Sequence, residues 1–441
     1  MNSPTRILRL DHLRKFLAVL RRDGPGEAFR RAVYYGRLLL FNQGRSGLDR
    51  PSAPRGRDFE PFWERVATEG AFRVTTPALI SGRRRIAVIG DLNLPQCRKY
   101  RVEQLHDLWA KGGVDVAHAH FADFPRSADI LQSASHVLFY RLALDPQTSA
   151  YLYEARRLGL PVIYDIDDPL FSVPAYATYG NAERISPHLR AHFLSQAPLY
   201  AAMMNACDAV SVSTPALRDH AACFTQRPVF VRRNFADGES LDRGRRAAGL
   251  LAHRAAAKDG AGPFTIAFAS GSNGHEADFD TIAAAVATFL SARADRRLMI
   301  LGRFDLAHLP EAIRARTILR PFLDYDAYLQ ALAGADCAIM PLADDLFNRC
   351  KSGVRLIDAS AVGVAAIVSD VGDAPALIRP GETGLVVGRG QSWAAALEQM
   401  AADRAATAQM GTRARHHLET GWSARLEPPI VDPALLGWVT A

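Results

Sequence analysis

The chain has 441 residues, 49% hydrophobic and 22% charged, a composition that supplies two or three domains with full cores and excludes a disordered chain. No run approaches the ~18 apolar residues of a bilayer-spanning helix, and charges interrupt the first turns of the chain, so neither a transmembrane span nor a secretory signal is expected. The net charge of +7 is unevenly spread: residues 1–57 hold 13 Lys and Arg against 4 Asp and Glu, a net of +9, so the rest of the chain carries −2. The positive charge belongs to an N-terminal arm and not to a nucleic-acid-binding body.

Residues 6–22 place Leu10, Leu13, Phe16, Leu17 and Leu20 on one helical stripe flanked by arginines. A second helix is expected over 27–41, with Phe29, Val33, Tyr34, Leu38 and Leu40 interleaved with Arg30, Arg31 and Arg37. Such a basic amphipathic pair either docks residues 1–57 on an anionic membrane surface or packs on the main body with its arginines in water. A Gly/Pro/Arg linker over 42–58 closes the arm, 1–58. Five scattered cysteines (Cys97, Cys207, Cys223, Cys337, Cys350) lack metal-ligand spacing and read as free thiols in a reducing cytosol.

From Arg85 strands alternate with helices. Within 81–235, strands are expected at 86–90, 114–120, 136–140, 161–169, 208–214 and 228–234, with helices at 100–110, 148–158, 187–205 and 215–222. Residues 236–262 read as a polar connection with at most a weak helix. Alternation restarts over 263–425, with strands at 264–270, 297–302, 317–320, 337–342, 364–368 and 384–388 and helices at 278–293, 325–333 and 393–417; 426–441 is a tail. This pattern predicts an α/β chain of two doubly wound, Rossmann-like parallel sheets.

The most informative stretch is NRCKSGVRLIDASAVGVAAIVSD, Asn348 to Asp370. Asn348, Lys351 and Ser352 form a small polar loop entering a helix, Gly363 stops that helix, and Val364 to Val368 is a buried strand. A helix N-terminus attracts phosphate, and Lys351 adds a full charge there. Asp358, seven residues on, is expected near the same helix face. A cation for phosphate and a carboxylate for hydroxyls suit a nucleotide-sugar, although both residue types are also common on solvated helix surfaces.

On Asn348, Lys351, Ser352, Asp358, Gly363, Ser369 and Asp370, the chain resembles the retaining glycosyltransferases of the GT-B fold, family four type. ASGSNGHEADF (269–279) resembles that family's first C-terminal loop, and YDIDDPLF (164–171) is similar to an acidic segment of relatives that modify bacterial surface saccharides. The resemblance spans roughly 85–425 and implies two domains facing a cleft, the acceptor on the first and the donor on the second. It implies sugar transfer from a nucleotide-diphosphate-sugar with retention, to a saccharide or lipid-linked saccharide, at the cytoplasmic face and with no metal or other cofactor. Lys351 would neutralise the diphosphate, Ser352 and Asn348 would shape or contact the phosphate site, and Asp358 would hold the ribose. Gly271, Ser272 and His275 would form the opposite wall, with Arg303 at the base or diphosphate. Cys350 stands where the family commonly has a glutamate.

On the acceptor side, Asp168, Asp167 and His120 are the candidates to orient or deprotonate a hydroxyl. Each has a plain structural alternative, a turn-capping acid or a satisfied core histidine. Arg98, Tyr100 and Arg101 at a helix start are expected to form an anion site for the acceptor. Asp165, Asp167 and Asp168 also admit a D-x-D metal site. Two rival functions use the same pocket: a GT-B-fold nucleotide-sugar epimerase, and a catalytically silent subunit that scaffolds a surface-polysaccharide complex.

Overall fold

The computed structural model describes residues 16, 17, 19–21, 24–41, 84–110, 112–256, 262–271, 275–422 and 430–440. Most of the expected first helix, 6–22, lies outside them; the second is present as Pro25–Phe41.

Two six-stranded sheets form, parallel throughout. The first comprises β1 (Arg85–Gly90), β2 (Asp115–His120), β3 (His136–Tyr140), β4 (Val162–Ile166), β5 (Ala209–Val212) and β6 (Val229–Val231), in the order β2-β1-β3-β4-β5-β6. The second comprises β7 (Phe264–Gly271), β8 (Arg296–Gly302), β9 (Thr317–Arg320), β10 (Cys337–Met340), β11 (Ala365–Ser369) and β12 (Gly384–Val387), in the order β12-β11-β10-β7-β8-β9. All of β4, β5, β10 and β11 is buried, which is why these strands are apolar apart from Asp165, Ser211 and Ser369. The order in which successive strands are added reverses between β1 and β3 in the first sheet and between β7 and β10 in the second. Open parallel sheets bind ligands at such switch points, beyond the carboxyl ends of the strands.

The stop at Gly363 is as expected. Its φ is 76°, and the turn is closed by Gly363 N–H to Ser360 O and Val364 N–H to Ala359 O. Elsewhere the structure departs from the sequence pattern. Residues 236–262 contain a 19-residue helix, Gly238–Ala256. Leu241 and Ala247 bury its inner face, and Gly244 lets it touch the Val354–Ala361 helix so closely that a β-carbon would lie 2.4 Å from Ala361 O. The expected 278–293 helix is two, Glu276–Asp280 and Ala283–Ala292, and 393–417 is broken at Asp403, which caps the second piece through Ala406 N–H. Residues 99–103 form a π-turn that buries Lys99, Tyr100, Arg101 and Val102 in succession. The tail returns to the first domain: Val431 bridges Arg232, and Val439 O accepts from Arg84.

Two short helices after β4, Val173–Thr178 and Gly180–Glu183, had no clear signature and cross to the second domain. Tyr179 stacks on Phe347 at 4.2 Å between centroids, Asn181 donates to Asp278 at 2.8 Å, and Arg184 pairs with Asp280. Arg233 grips Asp373 through two bonds of 2.9 and 3.0 Å, and Thr214 donates to Cys350 O.

Candidate functional site

The switch point of the second sheet is built on close backbone approach. Gly302 has φ 118°, and a β-carbon there would lie 2.4 Å from Gly271 O. The Arg303 N–H donates to that same oxygen at 2.9 Å, and the Arg303 side chain is exposed. Gly271 ends β7 with φ 70°. Ser272 lies outside the described residues.

His275 follows and pairs through Nδ1 with Asp278 Oδ2 at 2.7 Å. Burial lowers its pKa to about 4, helped by Arg355 and Lys351, so the ring is neutral near pH 7. Asp278 is fully buried and receives the Ala343 N–H and the Asn348 and Asn181 amides. Burial opposes its ionisation, but His275, Lys351 and the Ala343 N–H outweigh it and hold the carboxyl well below the usual range.

Lys351 projects toward the first domain. Its Nζ donates to Tyr179 OH at 3.2 Å and lies 5.1 and 5.4 Å from the Tyr179 and Phe347 ring centroids. Burial pulls its pKa down, but Tyr179, Asp168 and Asp278 overcome that and raise it. Among the described residues no carboxylate reaches ion-pair distance of Nζ. Asn348 does not face a ligand space: it is fully buried, with Nδ2 committed to Asp278, Ala343 O and Asp345. Ser352 Oγ accepts from Asn234 at 2.8 Å, tying the loop to the interdomain crossing.

The helix begins only at Val354, with Gly353 as a cap that offers no side chain. Lys351 therefore precedes the helix, and the seven-residue spacing does not set a common face with Asp358. Asp358 is buried, and its Oδ1 accepts Tyr100 OH at 2.5 Å and Tyr325 OH at 2.8 Å. Burial raises its pKa against the opposing effect of Tyr100, Lys99 and Tyr325. Arg355, which sequence reasoning passed over, lies beside Lys351 and His275 and donates to Ala269 O at 3.0 Å. Its signal was a second cation one turn after Lys351.

At the switch point of the first sheet, Arg141 follows β3 and pairs with both Asp167 (3.2 Å) and Asp168 (2.5 Å), while Tyr140 OH donates to Asp167 at 3.3 Å. Burial raises the Asp167 pKa, opposed by Arg141 and assisted by Asp168. The Asp168 side chain keeps 26% of its surface exposed. His120 is buried, accepts the Ala122 N–H at Nδ1, and has its pKa lowered by burial to about 4.

The expected Arg98–Tyr100–Arg101 anion site does not assemble. Arg101 is wholly buried and bidentate to Asp165 at 2.8 and 2.6 Å, with Arg232 on the same carboxylate at 3.1 Å. The π-turn rotates it inward, where a charge persists only if paired. Tyr100 faces Asp358, and Arg98 pairs with Glu103 at 2.7 Å. Asp165 is consumed by two arginines, which removes it from any D-x-D set; among the described residues no three His, Cys, Asp or Glu side chains stand in metal-holding arrangement.

Residues 263–403, which hold all six strands of the second sheet, match the family model described as glycosyl transferases group 1. Among solved structures the chain is similar to a sucrose-phosphate synthase from Thermosynechococcus elongatus, at 14% identity over 78% of this chain and 96% of that one, with a TM-score of 0.50. It is also similar to Anabaena Alr3699/HepE solved with UDP and glucose, at 15% identity over 78% and 96% of the two chains and the same TM-score, 0.50. At these identities the likeness shows the fold, GT-B. No curated protein matches the sequence.

Proposed function

We propose that the chain is a retaining glycosyltransferase of the family four type. It moves a hexosyl group from a nucleotide-diphosphate-sugar to a hydroxyl of a saccharide or lipid-linked saccharide, in the synthesis of a cell-surface polysaccharide or glycolipid. The observation that carries this is Lys351, a cation turned into the space between the domains at the β7/β10 switch point, with the Asp168 carboxylate opposite it on the first domain. The diphosphate lies between the Gly271 turn and the start of the Val354–Ala361 helix. Lys351 and Arg355 neutralise the charge that grows on it as the sugar–phosphate bond breaks, so no metal is needed. Asp168 orients the acceptor hydroxyl or takes its proton, and the neutral His275, whose Nδ1–H is given to the ionised Asp278, presents Nε2 as an acceptor for a hydroxyl of the sugar. The interdomain contacts of Tyr179, Asn181 and Arg233 support a cleft that excludes water during transfer.

Because one structurally similar protein was solved with UDP and glucose, UDP-sugars head the test panel. Incubation with nucleotide-sugars is expected to give slow donor hydrolysis, and one diphosphonucleoside is expected to raise the thermal midpoint. No response across the panel would refute the donor site. A second reading, a silent nucleotide-sugar-binding scaffold, draws on Cys350, which is buried against the first domain's core where an acid would be costly. It is selected if the native chain is inactive and Cys350→Glu gains activity.

The arm is proposed to hold the protein on the inner face of the membrane. No described helix is long and apolar enough to span one, but Phe29 is 67% exposed on a helix within a segment of net charge +9. Phe29→Glu should weaken sedimentation with anionic vesicles; unchanged sedimentation refutes membrane docking through this helix.

A further inference from the structure

Arg141 carries a combination of features that the proposed chemistry has not yet used. It is the first residue after β3, at the switch point of the first sheet, and the only non-glycine residue among those described with a positive φ, 56°. A β-carbon disfavours that conformation, and such outliers persist where the surroundings enforce them. Here the Arg141 N–H is fixed on Asp165 O at 2.9 Å, and the turn throws the side chain across the carboxyl ends of β3 and β4. The guanidinium reaches Asp167 Oδ1 through Nε at 3.2 Å, Asp168 Oδ2 through Nη2 at 2.5 Å and Cys97 Sγ through Nη1 at 3.4 Å. Asp167 is the more enclosed of the two acids, with 12% of its side chain exposed against 26% for Asp168.

We infer that Arg141 is a positioning residue for the transfer reaction, whose guanidinium fixes the Asp168 carboxylate toward the cleft while Asp167 serves as its enclosed counter-ion. This rests on the reading of Asp168 as the acid that meets the acceptor. Two adjacent carboxylates repel, and one guanidinium donates to Asp168 through Nη2 while its charge stands 3.2 Å from Asp167, so neither acid is driven to rotate away. The other groups facing the pair do not do this. Tyr140 touches only Asp167, Arg101 is taken by Asp165, and among the described residues Lys351, Tyr176, Tyr179 and Cys350 make neither a hydrogen bond nor an ion pair to Asp168. Cys97 is held as a neutral thiol, its pKa pushed by burial to about 12. The left-handed turn is what delivers the fork, because an unstrained continuation of β3 would carry residue 141 onward along the sheet.

The test uses the full-length protein, the nucleotide-sugar that the panel selects, and its diphosphonucleoside. Arg141→Gly suits the left-handed backbone and removes the fork. Turnover should fall about 100-fold, the scale of a misplaced reacting group, while the diphosphonucleoside still raises the thermal midpoint as in the native chain. Added guanidinium ion should restore part of the rate, which loss of a merely structural contact would not allow. Arg141→Lys should also be slow, since one ammonium does not bridge both acids; it decides the matter if the glycine variant does not fold. A near-native rate in either variant overturns the inference, as does a rate that falls only in step with loss of the diphosphonucleoside response. Asp168→Asn separates the two levels. A native rate there overturns the reading of Asp168 itself, whereas a slow Asp168→Asn beside a fast Arg141→Gly overturns the role of Arg141 alone.

Discussion

Replacing Lys351 by methionine is the sharpest perturbation of the donor site. Methionine keeps an unbranched apolar stem beside the stacked Tyr179 and Phe347 rings and removes only the ammonium. Without ligand, Nζ makes one hydrogen bond among the described residues, to a neutral hydroxyl at 3.2 Å, so most of its donor capacity is available to phosphate oxygens. A hydrogen bond to a charged group is worth about 1.5–3 kcal/mol net. At about 1.4 kcal/mol per tenfold, the variant should bind a diphosphonucleoside roughly 10- to 150-fold more weakly. Turnover should fall at least as far, because negative charge on the leaving diphosphate grows toward the transition state. Since the folded protein raises the Lys351 pKa, its charge supports the fold below the ordinary lysine value of 10.5 and is lost only as pH rises beyond it. Affinity at pH 7 is therefore free of lysine titration. Titration calorimetry at fixed ionic strength reads the affinity and donor hydrolysis reads the rate. Affinity within about twofold of the native value would refute the assignment.

Burial lowers both His275 and His120 to about 4, so the unfolded chain takes up protons that the native state refuses. The urea midpoint should fall as pH drops from 6.5 toward 4, and His275→Asn or His120→Asn should each flatten that slope; a midpoint constant across this window contradicts the burial account. Asp278 acts in a separate window, since its depressed pKa stabilises the fold above 3.8 and is lost only below. Asp165→Asn leaves Arg101 and Arg232 facing a neutral amide and should cost about 3–5 kcal/mol by denaturant titration, with diphosphonucleoside affinity preserved; a loss below about 1 kcal/mol would contradict a buried ionic triad. Gly244→Ala should be stabilising by about 1 kcal/mol on helix propensity alone. The contact with Ala361 O instead predicts a net loss of about 1–3 kcal/mol, and a raised thermal midpoint would show that the two helices separate freely.

What was legible in the sequence followed from local chemistry. Apolar runs such as HVLFY and VAAIV have to be strands buried on both faces, and Gly363 has to turn left-handed where its helix meets β11. The order of strands then puts Gly271, Lys351, Asp167 and Asp168 at the carboxyl edges of their sheets. The residues that were misjudged depend on contacts 64 to 258 positions apart. Arg101 and Tyr100 read as an exposed helix start because the π-turn that buries them has no local signature, and their partners are Asp165, Arg232 and Asp358. Lys351 and Asp358 were counted along one helix that in fact begins after the lysine. The crossing helices at 173–183 are too short to carry a period, yet they supply Tyr179 and Asn181 to the other domain. Asp278, three residues after His275, was within local reach of it, whereas only the fold brings Arg355 to the same place.

A structure of the protein with its preferred diphosphonucleoside bears most directly on the donor site. It should place a phosphate oxygen within about 3 Å of Lys351 Nζ, with the diphosphate between the Gly271 turn and the first N–H groups of the Val354–Ala361 helix. A diphosphate bound elsewhere, with Lys351 still closed on Tyr179, would contradict it.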